Sequence, residues 1–318
     1  MKKSILLLVI LFFRHTLWAQ VEYPYPVKTI PLSIEQNKMR FAYMDVSPER
    51  ANGKSIVLLH GKNFNGYYWK DVIPFLNNLG YRVIVPDQLG FGESSKPDIH
   101  YSFHQLATNT KTLLDSLHIN KVSILGHSMG GMLAVRFAIM YPSITDLMIL
   151  ENPIGLEDYR TFVPFVTIDS LYKEELSSTY ESYKKYQQSY YPTWKSEYEA
   201  FVEAQAKSLT QPDFPQTAWA NALTYQMIYE QPVCYEFKNV KAKTLIIIGQ
   251  EDRTIVGKTR VSKELLNIHG QYPIMGKQIH EEIKESTLVQ LTGVGHIPHI
   301  QELETFKKHV ISFLNSKK

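Results

Sequence analysis

Short, mostly apolar runs without strict alternation recur at residues 55–59, 81–86, 122–125, 144–150, 244–248 and 288–291. A strand exposed on one face alternates polar and apolar residues; unbroken runs suit strands buried on both faces of a parallel sheet. Helical patterns lie between and after these runs. They comprise an aromatic-rich stretch over 67–79, an amphipathic stretch over 102–118 opened by Ser102 as a cap, good helix formers following 130, and a closing helix over 301–314. Residues 39–46 read as a further strand, Asn52-Gly53 as a turn, and the proline-bearing stretch 23–34 as an entry segment. Such alternation predicts an α/β fold, with a mostly parallel central sheet and helices on both faces.

The alternation lapses between 155 and 237. This stretch is rich in tyrosine, glutamine and lysine, and it reads as several amphipathic helices broken at Pro164, Pro192, Pro212 and Pro215. The predicted organisation is therefore one α/β core, 20–154 and 238–318, interrupted by a helical insertion at 155–237.

Length and composition fit that picture: 318 residues, 44% hydrophobic and 20% charged, are enough for one large core carrying an insertion. With 34 basic against 31 acidic residues and no basic block outside the extreme N-terminus, nucleic acid is excluded as a partner class. The N-terminus differs from the rest. Lys2 and Lys3 precede an apolar run over 5–13, too short to span a bilayer comfortably, and Ala19 stands before Gln20. This is the pattern of a signal peptide cleaved near Ala19, which predicts a periplasmic or secreted mature chain without a membrane span. Arg14 and His15 interrupt the pattern and leave an uncleaved anchor as the alternative. The single cysteine, Cys234, excludes an intramolecular disulfide and reads as a buried apolar residue rather than a reactive thiol.

The densest chemical signal lies at Gly126-His127-Ser128-Met129-Gly130, between the run at 122–125 and a stretch of helix formers. A serine at the tip of so tight a strand-to-helix turn needs small residues two positions away on each side. The turn lifts its hydroxyl off the sheet and sets it near the positive end of the following helix. The bland alternative is a helix-capping serine in some other α/β protein.

Here the chain resembles the α/β-hydrolase family, and further motifs extend the resemblance: His60-Gly61, Asp87-x-x-Gly90-x-Gly92-x-Ser94, Gly249-x-x-Asp252 and Gly295-His296-x-Pro298. The resemblance implies a serine hydrolase with Ser128 as nucleophile, Asp252 as acid and His296 as base, in the chain order of that fold. It favours Asp252 over Glu251 and His296 over His299, and it assigns Asp87 and His60 to structural roles. By the same match, the backbone N–H groups of Lys62 and Met129 form the oxyanion hole, with Asn63 as the alternative to Lys62. The insertion at 155–237 matches a helical cap over a pocket for a small-molecule substrate, and no cofactor is implied. A serine nucleophile argues against the epoxide hydrolases and dehalogenases of the fold, which use aspartate. The expected activity is hydrolysis of carboxylic esters with small or aromatic acyl groups. Carbon–carbon bond hydrolysis of diketones is the alternative within the family, and a non-enzymatic ligand-binding module is the alternative outside it.

Overall fold

A computed structural model describes residues 22–316, so the predicted signal segment lies outside the described residues. Eight strands form one sheet: β1 (Val27–Ile34), β2 (Asn37–Val46), β3 (Ser55–Leu59), β4 (Arg82–Pro86), β5 (Val122–His127), β6 (Thr145–Glu151), β7 (Lys243–Gly249) and β8 (Ser286–Leu291). Their spatial order is β1-β2-β4-β3-β5-β6-β7-β8. The hairpin β1–β2 joins the sheet antiparallel to β4, and every pairing from β4 to β8 is parallel.

The helices are α1 (Val72–Asn78), α2 (Phe103–Ser116), α3 (Met129–Met140), α4 (Ile168–Leu176), α5 (Tyr180–Gln188), α6 (Glu199–Ala206), α7 (Phe214–Glu230), α8 (Lys263–Leu266), α9 (Tyr272–Glu282), α10 (Pro298–Gln301) and α11 (Leu303–Asn315). Most of the apolar runs do what their pattern predicts: β5 is buried along its whole length, and β3 and β4 are buried from their second residue onward, whereas β8, at the sheet edge, is buried only at Leu291. Side chains from alternate positions feed two large apolar clusters, one on each face of the sheet. Each fully buried aliphatic side chain contributes about 1.5–3 kcal/mol by leaving water.

Four local expectations are corrected. The entry segment forms β1, because a proline is tolerated on a sheet edge, where Pro31 sits opposite Arg40. The stretch 67–79 divides into a 3-10 turn, Gly66–Trp69, and α1. Pro215 does not break a helix but lies in the first turn of α7, where its missing N–H costs nothing. The closing helix divides at Glu302 (φ −138°) into α10 and α11. Gln301 explains that break: its side chain accepts from the Gly295 amide and donates to the Gly293 carbonyl, each at 2.8 Å, tying the helix start to the preceding loop.

Between β6 and β7 the described chain contains helices and no strand. Helices α4 and α7 pack together, as do α5 and α6. Part of this region is continuous with the main core, since Tyr159, Val163, Met227 and Ile228 belong to one of the two sheet-face clusters. Among the described residues, no helix is long and apolar enough to cross a membrane.

Candidate active site

Strand β5 runs directly into α3, and Ser128 between them takes φ 55° and ψ −120°, a conformation that side chains avoid unless their surroundings impose it. The flanking glycines show what imposes it. A Cβ on Gly126 would lie 2.2 Å from the Gly130 carbonyl oxygen, and one on Gly130 would lie 2.0 Å from that of Leu59. The Ser128 amide donates to the Glu151 carbonyl at 3.2 Å, and the Ser128 carbonyl accepts from Gly131 and Ile154.

His296 reaches back over the turn from the loop between β8 and α10. Its Nε2 lies 3.0 Å from Ser128 Oγ, and its Nδ1 lies 2.7 Å from Asp252 Oδ2. All three side chains are buried; Ser128 is 6% exposed. Asp252 also accepts from Asn152 Nδ2 at 2.7 Å and from the Thr254 amide at 2.8 Å. Burial alone would raise its carboxyl. Its electrostatic attraction to His296 and the hydrogen bonds from His296, Thr254 and Asn152 outweigh burial and hold the group below its ordinary value. Glu251, one residue earlier, is exposed and takes no part.

Loop 60–66 lies against the serine, since a Cβ on Gly61 would come within 3.0 Å of Ser128 Cβ. Lys62 and Asn63 follow directly. Met129 opens α3, so its amide belongs to the first-turn group that has no carbonyl partner inside the helix. His60 fastens the loop: Nε2 accepts from the Gln88 amide and Nδ1 donates to the Gly61 carbonyl, both at 2.9 Å. Burial depresses His60 to about 4, so it is a neutral bracket. Asp87 is a second bracket, accepting from the Gly66 and Glu93 amides and from Tyr23. Burial lifts its carboxyl to about 6 against the pull of those donors. His299 lies in the first turn of α10 and is buried against Glu151.

Sequence reasoning missed two contacts on the triad. Asn152, in a left-handed conformation at φ 37°, bridges the acid: its Oδ1 accepts from the Gly249 amide while Nδ2 reaches Asp252. Tyr190, between α5 and α6, accepts the His296 amide on its carbonyl at 2.8 Å, and its ring stacks on the imidazole with centroids 4.8 Å apart. Gly295 permits this approach, because a Cβ there would lie 2.1 Å from the Tyr190 carbonyl oxygen.

A cleft of about 480 Å³ follows the seam between the inserted helices and the core loops. Ser128 does not line it. Asn63 and Asn221 are among its lining residues, and Lys62 and Asn221 both hold Glu175 of α4. Its walls carry neutral hydrogen-bonding side chains, including Asn65, Gln205, Gln211 and Thr217. Cys234 lies elsewhere, half-buried, with its thiol pushed up to about 11 by burial first and by Asp158 next. Among the described residues, no group of three or more His, Cys, Asp or Glu is arranged to hold a metal ion.

A sequence profile for the α/β hydrolase fold matches residues 54–303. A probable hydrolytic enzyme from Pseudomonas aeruginosa PAO1, known from its crystal structure, is 41% identical and superposes with a TM-score of 0.91 over 93% of this chain and 96% of its own. The chain belongs to the α/β hydrolase fold family, and the fold expected from the apolar runs and motifs is the one observed. An uncharacterized protein from Mycobacterium bovis is 34% identical over 131 residues, a match spanning 41% of this chain and 38% of that relative. A 2-hydroxy-6-oxo-6-phenylhexa-2,4-dienoate hydrolase from Comamonas testosteroni is 26% identical over 278 residues, covering 85% of this chain and 90% of its own.

Proposed function

We propose that the protein is a serine hydrolase that cleaves carboxylic esters through an acyl-enzyme. The observation that carries this reading is the unbroken line Ser128 Oγ, His296 Nε2, His296 Nδ1, Asp252 Oδ2, with links of 3.0 and 2.7 Å, at the strained tip of β5. Ser128 attacks the acyl carbon while His296 Nε2 takes its proton, and the buried carboxylate of Asp252 stabilises the imidazolium that results. The amides of Lys62 and Met129 receive the developing oxyanion. His296 then protonates the departing alcohol, and water repeats the sequence to release the acid. A binding-only module would have no need of such an alignment.

Similarity to the dienoate hydrolase favours carbon–carbon hydrolysis as the second reading. A carboxylate-bearing substrate of that kind needs an available cation, and three of those near the seam are engaged. Lys62 pairs with Glu175 at 3.4 Å, Lys96 with Asp213 at 3.5 Å and Lys207 with Glu93 at 3.9 Å, while Arg40 stands at the exposed rim. Arg160, in the inserted segment, pairs with Asp158. These pairings support an uncharged ester. Turnover of p-nitrophenyl acetate against a vinylogous diketone acid tests the choice, and faster turnover of the diketone would reverse it.

Aromatic rings crowd the triad, with Tyr190 stacked on His296 and Tyr272 set edge-on at 6.3 Å. An added methylene contributes up to about 0.8 kcal/mol where it finds space and nothing where it meets a wall. Activity on p-nitrophenyl esters should therefore peak at two to four acyl carbons, by this packing argument, and fall at least about tenfold by ten. A preference for the long chain would contradict that wall.

We propose too that the mature chain is exported after cleavage near Ala19, on the basic, apolar and small-residue order of the first nineteen positions. N-terminal sequencing of the protein purified from its native host should read from Gln20 or a neighbour. A soluble cytoplasmic product retaining Met1 would overturn the proposal.

A further inference from the structure

His127 precedes Ser128, is fully buried, and has no part in the proton transfers described above. Its Nε2 lies 2.8 Å from the backbone carbonyl oxygen of His296, and because a carbonyl only accepts, Nε2 carries the proton. Burial first, and then the repulsion this ring would meet from the neighbouring imidazoles of His296 and His299 were both protonated, hold it well below its ordinary pKa, so it is neutral and Nδ1 bears a lone pair. The Tyr68 hydroxyl, 3.2 Å away, donates to that lone pair, and the same oxygen accepts the Gly61 amide at 2.9 Å. Three hydrogen bonds therefore run in one direction, from the Gly61 amide through Tyr68 and His127 to the His296 carbonyl.

The two ends of this relay are the two loops that the chemistry needs in register. Gly61 adjoins Lys62, whose amide faces the oxyanion in the mechanism above, and His296 is the base. We propose that His127 and Tyr68 are positioning residues, which lock the oxyanion loop and the histidine loop onto opposite sides of the nucleophile. The inference rests on the serine-hydrolase reading for its consequence, though the hydrogen-bond order itself does not.

Packing holds the relay in place. Tyr68 stacks on Phe64 with centroids 4.7 Å apart, and Trp69 stacks on His299 at 4.4 Å. His299 is fixed in turn by Glu151, which accepts both its amide and its Nδ1 proton. At the base itself the loop is thus gripped at the His296 amide by Tyr190, at the His296 carbonyl by His127, and just beyond it at the His299 amide by Glu151. Only the middle grip comes from the turn that also carries Ser128. Residue 127 must accept at one end and donate at the other; a glutamine amide can do both, and leucine can do neither.

The test compares kcat and KM for p-nitrophenyl acetate. His127→Leu should lower kcat about 30-fold or more with KM within about twofold, as expected when an interaction used in the transition state is lost. His127→Gln should recover most of that loss. Tyr68→Phe, which leaves the Gly61 amide without its partner, should lower kcat about tenfold, and adding it to His127→Leu should cost little more. Unchanged kcat in His127→Leu, or a glutamine variant no better than leucine when both melt like wild type, would overturn the relay. Independently of turnover, 15N chemical shifts of the His127 ring should report a neutral Nε2–H tautomer from about pH 5 to 9. A ring protonated in that range, or bearing its proton on Nδ1, would overturn the hydrogen-bond order. Failure of wild type to react with a fluorophosphonate would instead overturn the serine-hydrolase reading and leave the ring measurement to decide the relay.

Discussion

Ser128→Ala should abolish ester turnover, a loss on the order of a million-fold if the triad acts as a unit, while the folded chain persists. The exchange removes one oxygen whose hydrogen-bond partner is His296 Nε2, at 3.0 Å. It leaves the backbone bonds that hold the turn, from Ser128 to Glu151, Gly131 and Ile154, untouched. The glycines at 126 and 130 still enforce the strained conformation, so the variant retains the shape of the site without its nucleophile. A fluorophosphonate should label the wild type at Ser128 alone and the variant not at all. Label on a different serine, or turnover surviving in the variant, would end the assignment.

His296→Ala and Asp252→Asn should each reduce kcat by several orders of magnitude, about ten-thousand-fold for the aspartate by analogy with the protease triad. The structure gives the asparagine a specific defect. Asp252 receives three donors, from His296, Asn152 and the Thr254 amide, and an asparagine has one acceptor oxygen where the carboxylate has two. Its amide nitrogen would then oppose a donor or force His296 into the wrong tautomer. The two substitutions combined should cost little more than the worse alone. Glu251→Gln, on an exposed side chain, should be mild, and a severe effect there with a benign Asp252→Asn would move the acid by one position.

The same pair predicts a pH dependence of stability. The Asp252 carboxyl is held below its ordinary value in the folded chain, against an unfolded value of about 3.9. Its contribution is therefore complete above the unfolded value and is lost as pH falls through the lower folded one. Thermal melts of wild type and Asp252→Asn should accordingly converge in acid and separate toward neutrality; a constant gap would mean that the ionised carboxylate contributes nothing.

Residues whose roles follow from local sterics are legible in the amino-acid sequence. The glycines around Ser128, the apolar runs of β3 to β7 and the order Ser128, Asp252, His296 depend on neighbours a few positions away, or on a spacing that the fold preserves. Tyr190, Asn152 and Tyr68 are not legible there, because their roles arise only when distant segments meet. Tyr190 touches a loop more than a hundred positions away, through its backbone carbonyl, which carries no residue signature. His127 lies inside the motif itself, and its signal is a bulky polar residue at a position that must be buried. Strand β1 escapes a reading by pattern because Pro31 signals a break unless the strand is known to be an edge.

The position of the inserted helices has a consequence for how the molecule comes together. They interrupt the chain between β6 and β7, so the strands that present Asp252 and His296 add to the sheet only after that long excursion has been closed. Ser128 and His296 meet across a separation of 168 positions. Closing so long a loop is entropically unfavourable until the contacts it enables have formed, which favours a late formation of this pairing. The amino-terminal strands can be collapsed and buried while the serine still has no base. Ester turnover should accordingly return on refolding after the amino-terminal strands are buried.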